Sequence, residues 1–262
     1  VVENRVGAAG AIAAAHVAKA PADGRTALFG GVGTNVVLQY TQPELPYDSA
    51  RDFTPIANFC YVDFVLTVGA GSPYHSLADV LKAAAVRPDA VSYMSAGPLG
   101  TLHVAQEYLW KLAGVRPTHV PYKGEAHVVT DLVAGRVDTA LMTLSLTRQM
   151  AAEGKVRMLA TVAPRRLAGA PELPTVAELG FPGFAMPTWN GVFVPAGVDQ
   201  ATVQNLNAAV NAAIRDPDIR KRILDMGITP GEENTPQQHA EFLQAERVRW
   251  KTMIDESGVL GA

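Results

Sequence analysis

The stretch from Val91 to Gly124 constrains this chain more than any other. A short apolar run, Val91 to Met94, breaks into Ser95, Ala96, Gly97, Pro98, Leu99, Gly100 and Thr101. A helical pattern follows at once, with Leu102, Ala105, Gln106, Leu109 and Leu112 recurring on one face and Thr101 placed as its N-cap. A glycine-rich turn that opens onto a helix N-terminus is a natural anion site, because the first-turn amides have no helical acceptor and the helix dipole is positive there. The arrangement then repeats, with Thr118 to Val120 as a strand, Pro121 to Gly124 as a turn and Glu125 to Val133 as a helix. Two such turns at the carboxyl ends of neighbouring parallel strands face one crevice. The local pattern also fits two ordinary strand-to-helix connections, which commonly carry glycine.

A chain of 262 residues holds one large domain or two smaller ones, and its 48% apolar and 18% charged residues are a globular composition without a disordered signature. The net charge of −3, with no basic run, argues against a nucleic-acid partner. The single cysteine, Cys60, lies between Phe59 and Tyr61, rules out an internal disulfide and reads as a buried thiol. No apolar run is long enough to span a bilayer. Val1 to Arg5 reads as a strand entering a Gly7 to Gly10 turn, with no charged leader before it, so the chain is expected to be cut or processed, or the fold to begin abruptly.

Along the chain, Ala11 to Ala20 is expected to be a helix, and Thr26 to Phe29 a strand running into the glycine turn Gly30 to Asn35. Neither that turn nor Gly7 to Gly10 has the glycine spacing of a dinucleotide fingerprint. Pro43 to Pro55 reads as an ordered surface connection, Ile56 to Ala57 and Phe64 to Val68 as strands, and Ser76 with Asp79 as the capping box of a helix over Leu77 to Ala85. Gly135 to Leu141 reads as turn plus strand, and Val156 to Val162 as a strand. The prolines from Pro171 to Pro195 mark an irregular region that contains Trp189, Asn190 and Gly191. Helices are expected over Ala201 to Ile214, after Pro217 and from Pro236. The alternation of strands and helices predicts an α/β fold with mainly parallel sheets.

The chemistry-bearing residues are sparse. His16, His75, His103, His119, His127 and His239 show no metal-ligand spacing, so no metal site is expected, and no nucleophile elbow or P-loop is present. Lys123, beside a helix start, can pair with a carboxylate or phosphate, carry a Schiff base or simply be solvated. Ser95 and His103 sit eight residues apart across the turn, a spacing that permits approach without establishing a nucleophile and base. Asp131 and Asp138 read as solvated or capping.

Taken together, Val2-Glu3-Asn4-Arg5 with Gly7-Ala8-Ala9-Gly10, Asp23-Gly24-Arg25-Thr26, Leu45-Pro46-Tyr47-Asp48, Asp52-Phe53, Ser95-Ala96-Gly97 with Gly100-Thr101 and His103, Val120-Pro121-Tyr122-Lys123-Gly124, Pro174-Thr175-Val176-Ala177-Glu178 and Pro195-Ala196-Gly197 resemble the Bug, or TctC, family. These are solute-binding proteins of tripartite tricarboxylate transporters, and the resemblance runs in order along essentially the whole chain.

The resemblance implies a two-lobed periplasmic binding protein fold of type II topology, without the family's first strand, loop and helix. Domain 1 would comprise residues 1–68 and 190–262, domain 2 residues 69–189, and a small carboxylate would lie between them. Carried over by motif, Thr34 and Asn35 would bind from one lobe and Ser95, Ala96, Gly97, Gly100, Thr101 and His103 from the other. Tyr122, Lys123 and Thr143 would line the same site, and Trp189 and Asn190 would lie near the hinge and cleft. Leu141-Met142-Thr143 stands where many members have an Asp or Asn pair, which disfavours an amine-bearing ligand. The expected protein is a monomeric, non-catalytic periplasmic receptor that needs no cofactor and works with the membrane subunits of a transporter. The alternatives are an α/β enzyme using Lys123 or His103 on a carboxylate or phosphate ester, and a truncated sensory relative.

Overall fold

A computed structural model describes residues 1–87, 89–122 and 125–261. In chain order its elements begin with α1 (Ala11–Ala18), β1 (Leu28–Gly31), α2 (Leu38–Thr41), β2 (Phe53–Val62), β3 (Phe64–Gly69), α3 (Leu77–Val86), β4 (Ser92–Ser95) and α4 (Thr101–Leu112). They continue with β5 (Thr118–Pro121), α5 (Glu125–Val133), β6 (Thr139–Thr143), α6 (Leu144–Ala152), β7 (Val156–Thr161), β8 (Thr188–Pro195), α7 (Gln200–Arg215), α8 (Pro217–Asp225), β9 (Ile228–Pro230) and α9 (Pro236–Ser257). The chain divides into two compact units, residues 1–61 with 188–252 and residues 62–187 with 253–262. The strand Phe64–Gly69, assigned to the first domain from sequence, is a member of the second unit's sheet, so the division falls before it rather than after it.

The first unit is built on a four-stranded sheet in the order β1-β8-β2-β9. β1 runs antiparallel to β8, with Leu28 opposite Phe193 and Gly31 opposite Asn190. Trp189, Asn190 and Gly191, expected in an irregular stretch, therefore belong to an interior strand. The proline density of the region misled the reading, because the prolines lie before the strand and at its last residue. Gly191 is required where it stands: a Cβ there would meet the Ala57 carbonyl at 2.8 Å and the His239 ring at 2.6 Å. The core contains Ile56, Ala57, Val194, Val198 and Val203, the last from α7, whose N-cap Asp199 accepts the Thr202 amide at 3.0 Å.

Four asparagines finish this unit. The Asn207 amide donates to the carbonyls of Ile56 and Asn234, each at 2.8 Å, and the Asn234 side chain exchanges hydrogen bonds with the backbone of Asn58. The Asn211 amide also reaches the Asn234 carbonyl, at 3.0 Å. β2 begins at Phe53 and carries Pro55 inside it, a longer strand than the Ile56 to Ala57 pair suggested. Residues 1–7 are extended or irregular rather than the expected strand, and Val1, Val2 and Val6 are exposed.

The second unit carries a five-stranded sheet in the order β5-β4-β6-β3-β7. β4 is parallel to β5 and to β6, whereas β3 is antiparallel to both β6 and β7. The sheet is thus mixed, not mainly parallel. β6 and β7 run the same way because helix α6 carries the chain over between them, and β3 fills the space between the two in the opposite direction. One apolar cluster joins Met94, Val128, Leu132, Val137, Ala140, Met142, Met150 and Val156 under α5 and α6, and another gathers Val65, Leu144, Ala163, Leu167, Ala170 and Leu173.

The predicted start of α3 is present in detail: Ser76 accepts the Asp79 amide at 3.1 Å, and the Asp79 carboxylate takes the amide of His75 at 2.9 Å. Asp138, read as solvated or capping, accepts both the amide and the hydroxyl of Ser92 and so ties β6 to β4. Asp131 accepts from the Tyr122 hydroxyl and pairs with Arg136.

Candidate functional site

Because β4, β5 and β6 run parallel, their carboxyl ends lie along one edge of the second unit's sheet. Ser95, Pro121 and Thr143 close the three strands there. From Ser95 the chain turns through residues 96–100 and enters α4. Thr101 is the first helical residue rather than the cap; Gly100 holds the cap position with an extended backbone and no side chain to cap with.

The helix start is therefore open. The first amide in it to find a carbonyl is that of Val104, bonded to Gly100 at 3.0 Å. Among the described residues nothing accepts from the amides of Gly100, Thr101, Leu102 or His103. Gly97 has φ of 124° and Leu99 φ of 60°, a left-handed conformation that a leucine enters at a cost of about 1–2 kcal/mol. A Cβ added at Gly97 would meet open space, so only its backbone conformation demands glycine.

What holds the turn lies beneath it. The buried Ser95 hydroxyl accepts the Gly97 amide at 3.2 Å and donates to the Gly97 carbonyl at 2.9 Å, and His119 Nε2 stands 2.6 Å from the same oxygen. With the single hydroxyl hydrogen on the Gly97 carbonyl, His119 donates from Nε2; with it on His119, Nε2 is the acceptor, so the tautomer of His119 sets the direction of this bond. His103 Nδ1 accepts the Leu99 amide at 3.0 Å, which puts the His103 proton on Nε2, 3.9 Å from Glu107. The two imidazoles stack with centroids 3.9 Å apart, Tyr93 lies beside them at 5.1 Å from His119 and 6.3 Å from His103, and the Tyr93 hydroxyl donates to Glu107. Burial lowers both histidines below the ordinary value. His119 falls to about 4, helped by repulsion from His103 and opposed by Glu107.

The partner of Ser95 is thus His119, not the His103 suggested by the eight-residue spacing. The strand register decides this: Tyr93 pairs with His119, which puts Tyr93, Ser95 and His119 on one face of the sheet, while His103, Glu107 and Trp110 form one stripe of α4. Ser95 is fully buried and committed at both of its roles, so it acts as a pin for Gly97 rather than a nucleophile.

Of the remaining candidates in this unit, Ala96 is exposed in the turn and Thr101 is half-buried at the helix start. The Tyr122 amide donates to Ser95 and its hydroxyl is taken by Asp131. Thr143 opens α6 and gives its carbonyl to the Thr147 hydroxyl. Met142 points into the core, so no side chain at that position reaches the edge. Lys123 lies outside the described residues.

In the first unit the expected glycine turn at Gly30 to Asn35 is instead the end of β1 at Gly31 running straight into a π-helical segment, Gly33–Val37. Thr34 Oγ1 takes the Gly31 amide at 3.1 Å and reaches the carbonyl oxygen of the Asn35 side chain at 2.8 Å. Asn35 is 1% exposed, and its side-chain NH2 has no acceptor among the described residues. The Asn190 amide donates to the Gly30 carbonyl at 3.3 Å. Trp189, by contrast, is fully buried among Phe193, Phe242 and His239, and its N–H is held by Glu246 at 3.1 Å, so its side chain is a core element here.

Ser95, His103 and His119 thus hold a turn whose open helix start offers backbone donors suited to an anionic solute. The chain is a member of the TctC family, the tripartite tricarboxylate transporter family receptors, and the match covers residues 1–259. It is 40% identical to the UPF0065 protein of the tcbD-tcbE intergenic region of Pseudomonas sp. strain P51, over 98% of this chain and 76% of that protein. Among solved structures it resembles an R. palustris protein with adipate, at 33% identity and a TM-score of 0.89, covering 98% of this chain and 86% of that one. It also resembles MatC of Rhodopseudomonas palustris with bound malate, at 32% identity and a TM-score of 0.83, covering 96% and 86%. The family and these neighbours are solute-binding receptors, not enzymes, and the α/β periplasmic binding protein fold is theirs. Among the described residues no helix is long and apolar enough to cross a membrane.

Proposed function

We propose that this protein is a periplasmic receptor that captures a small organic carboxylate and delivers it to the membrane subunits of a tripartite tricarboxylate transporter. The observation that carries the reading is the run of unpaired amides from Gly100 to His103 at the start of α4, together with the Thr101 hydroxyl, at an edge where three parallel strands end. A carboxylate satisfies such donors and gains from the positive end of the helix dipole. The turn Ser95 to Thr101 contains no acidic residue that would repel it. The adipate and malate held by similar proteins support the same ligand class. The junction from β1 into the Gly33–Val37 helical segment is a second proposed capture point, since the buried Asn35 NH2 needs an acceptor. Tyr122 contributes through its backbone and Thr143 through its place at the strand ends. An amino acid is a poorer ligand than the corresponding dicarboxylate, because Met142 faces the core and supplies no counter-charge for an amine. A monomer is the expected working form.

Calorimetric titration with a panel of mono-, di- and tricarboxylates, with matched amino acids as controls, tests the proposal. Saturable one-to-one binding of at least one carboxylate, with weaker binding of the amino acids, is expected. Absence of heat and of thermal stabilisation across the panel would refute it.

A further inference from the structure

We propose that His119 is a positioning residue for carboxylate capture: through Ser95, and stacked on His103, it decides which backbone donors of the 95–103 turn face a ligand. The inference rests on the carboxylate-receptor reading and adds to it a residue that never touches the ligand.

Between Gly97 and His103 the turn has six backbone N–H groups, since Pro98 has none. Two are withdrawn inward, Gly97 to the Ser95 oxygen and Leu99 to His103 Nδ1. The other four, Gly100 to His103, are left without a protein acceptor. The two inward bonds fall on the two residues held in left-handed conformations, Gly97 and Leu99. Each is tied to one of the two imidazoles, Gly97 by way of Ser95.

The rings come from different elements, His119 from β5 and His103 from α4, and lie 3.9 Å apart centroid to centroid. Tyr93 lies beside the stacked pair, 5.1 Å from His119 and 6.3 Å from His103, and its hydroxyl is held by Glu107. A tilt of one ring therefore disturbs the other, and with it the inward bonds of Gly97 and Leu99. If the His119 N–H is lost, the Ser95 hydroxyl is free to turn away from the Gly97 carbonyl. Gly97 and Leu99 then relax toward ordinary backbone conformations, and the donors at the helix start lose their common direction. His119 does this as a neutral donor at Nε2, so its shape and its tautomer are the functional requirements rather than its charge.

The test begins with a carboxylate that the wild type binds in the panel above, adipate and malate being tried first. His119→Phe keeps the stack and removes the donor, and should weaken binding about tenfold, the worth of one positioned hydrogen bond. His119→Gln returns an N–H near the Nε2 position and should recover most of the affinity. Ser95→Ala should weaken binding similarly, and the double variant His119→Phe with Ser95→Ala should be no worse than the weaker single one, because both break one link.

A wild type that binds no carboxylate sinks the receptor reading and this inference with it. A wild type that binds, beside a folded His119→Phe of equal affinity, sinks this inference alone. Additive losses in the double variant, or failure of glutamine to rescue, would do the same. Should His119→Phe not fold, the imidazole 15N shifts of the wild type decide: both rings are expected as Nε2–H tautomers, and an Nδ1–H tautomer at His119 would overturn the proposal.

Discussion

Replacing His239 by methionine should remove a pH dependence from the stability of the first unit, and the structure sets its size. The imidazole is 1% exposed, lies against Trp189, Phe193 and Phe242, and has no hydrogen-bond partner at either nitrogen among the described residues. Burial pushes its pKa down from 6.5 to about 4. The unfolded chain therefore binds a proton that the folded chain refuses in the window between those values. Stability from this group is complete above the unfolded value and is lost as pH falls toward the folded one. Between about pH 7.5 and about pH 4.5 the wild type should lose about 2.5 kcal/mol relative to His239→Met.

Glu246, raised by burial, acts in the opposite sense, its contribution being present at low pH and lost as pH rises. It is common to both proteins and cancels in the difference, as do His103 and His119. Methionine fills the irregular space without titrating. Urea unfolding at stepped pH, followed by circular dichroism and tryptophan fluorescence, gives the two stability curves. A difference that stays flat from pH 7.5 to 4.5 would show that His239 is protonated or partnered inside the fold, and the argument would fail.

Gly97→Val should reduce carboxylate affinity at least tenfold with little loss of fold, since the site has room for a side chain but φ of 124° does not suit one; calorimetry beside a thermal melt checks both halves. Asn207→Ala should cost about 1–3 kcal/mol, because it takes the side-chain donor from the Ile56 carbonyl and leaves the Asn234 carbonyl to Asn211 alone in a site only 7% exposed, measured as a fall in the urea midpoint. Lys123→Met should slow carboxylate association several-fold at low salt and hardly at ~0.5 M salt, where screening shortens to about 4 Å, as read by stopped-flow fluorescence. Salt-independent association would assign Lys123 to the solvated surface.

Local periodicity carries most of the element types. The apolar spacing of Leu102, Ala105 and Leu109 is α4, Ser76 with Asp79 is the start of α3, and the break at Gly97 follows the end of β4, whereas β1 runs on through the break expected at Gly30. These rest on contacts within a few residues, which a sequence displays directly. The family resemblance added what local physics does not encode, the class of solute.

The tertiary structure alone decided everything that depends on register. The direction of β3 follows from its place between β6 and β7, not from its apolar run, which reads the same whether the strand is parallel or antiparallel. Trp189 became a core residue because β8 is interior to its sheet, and proline density around it gave no hint of that. The pairing of Ser95 with His119, 24 positions away, exists only because β4 and β5 align Tyr93 with His119. A one-residue slip would turn that histidine to the opposite face of the sheet, and nothing within either strand taken singly specifies the alignment.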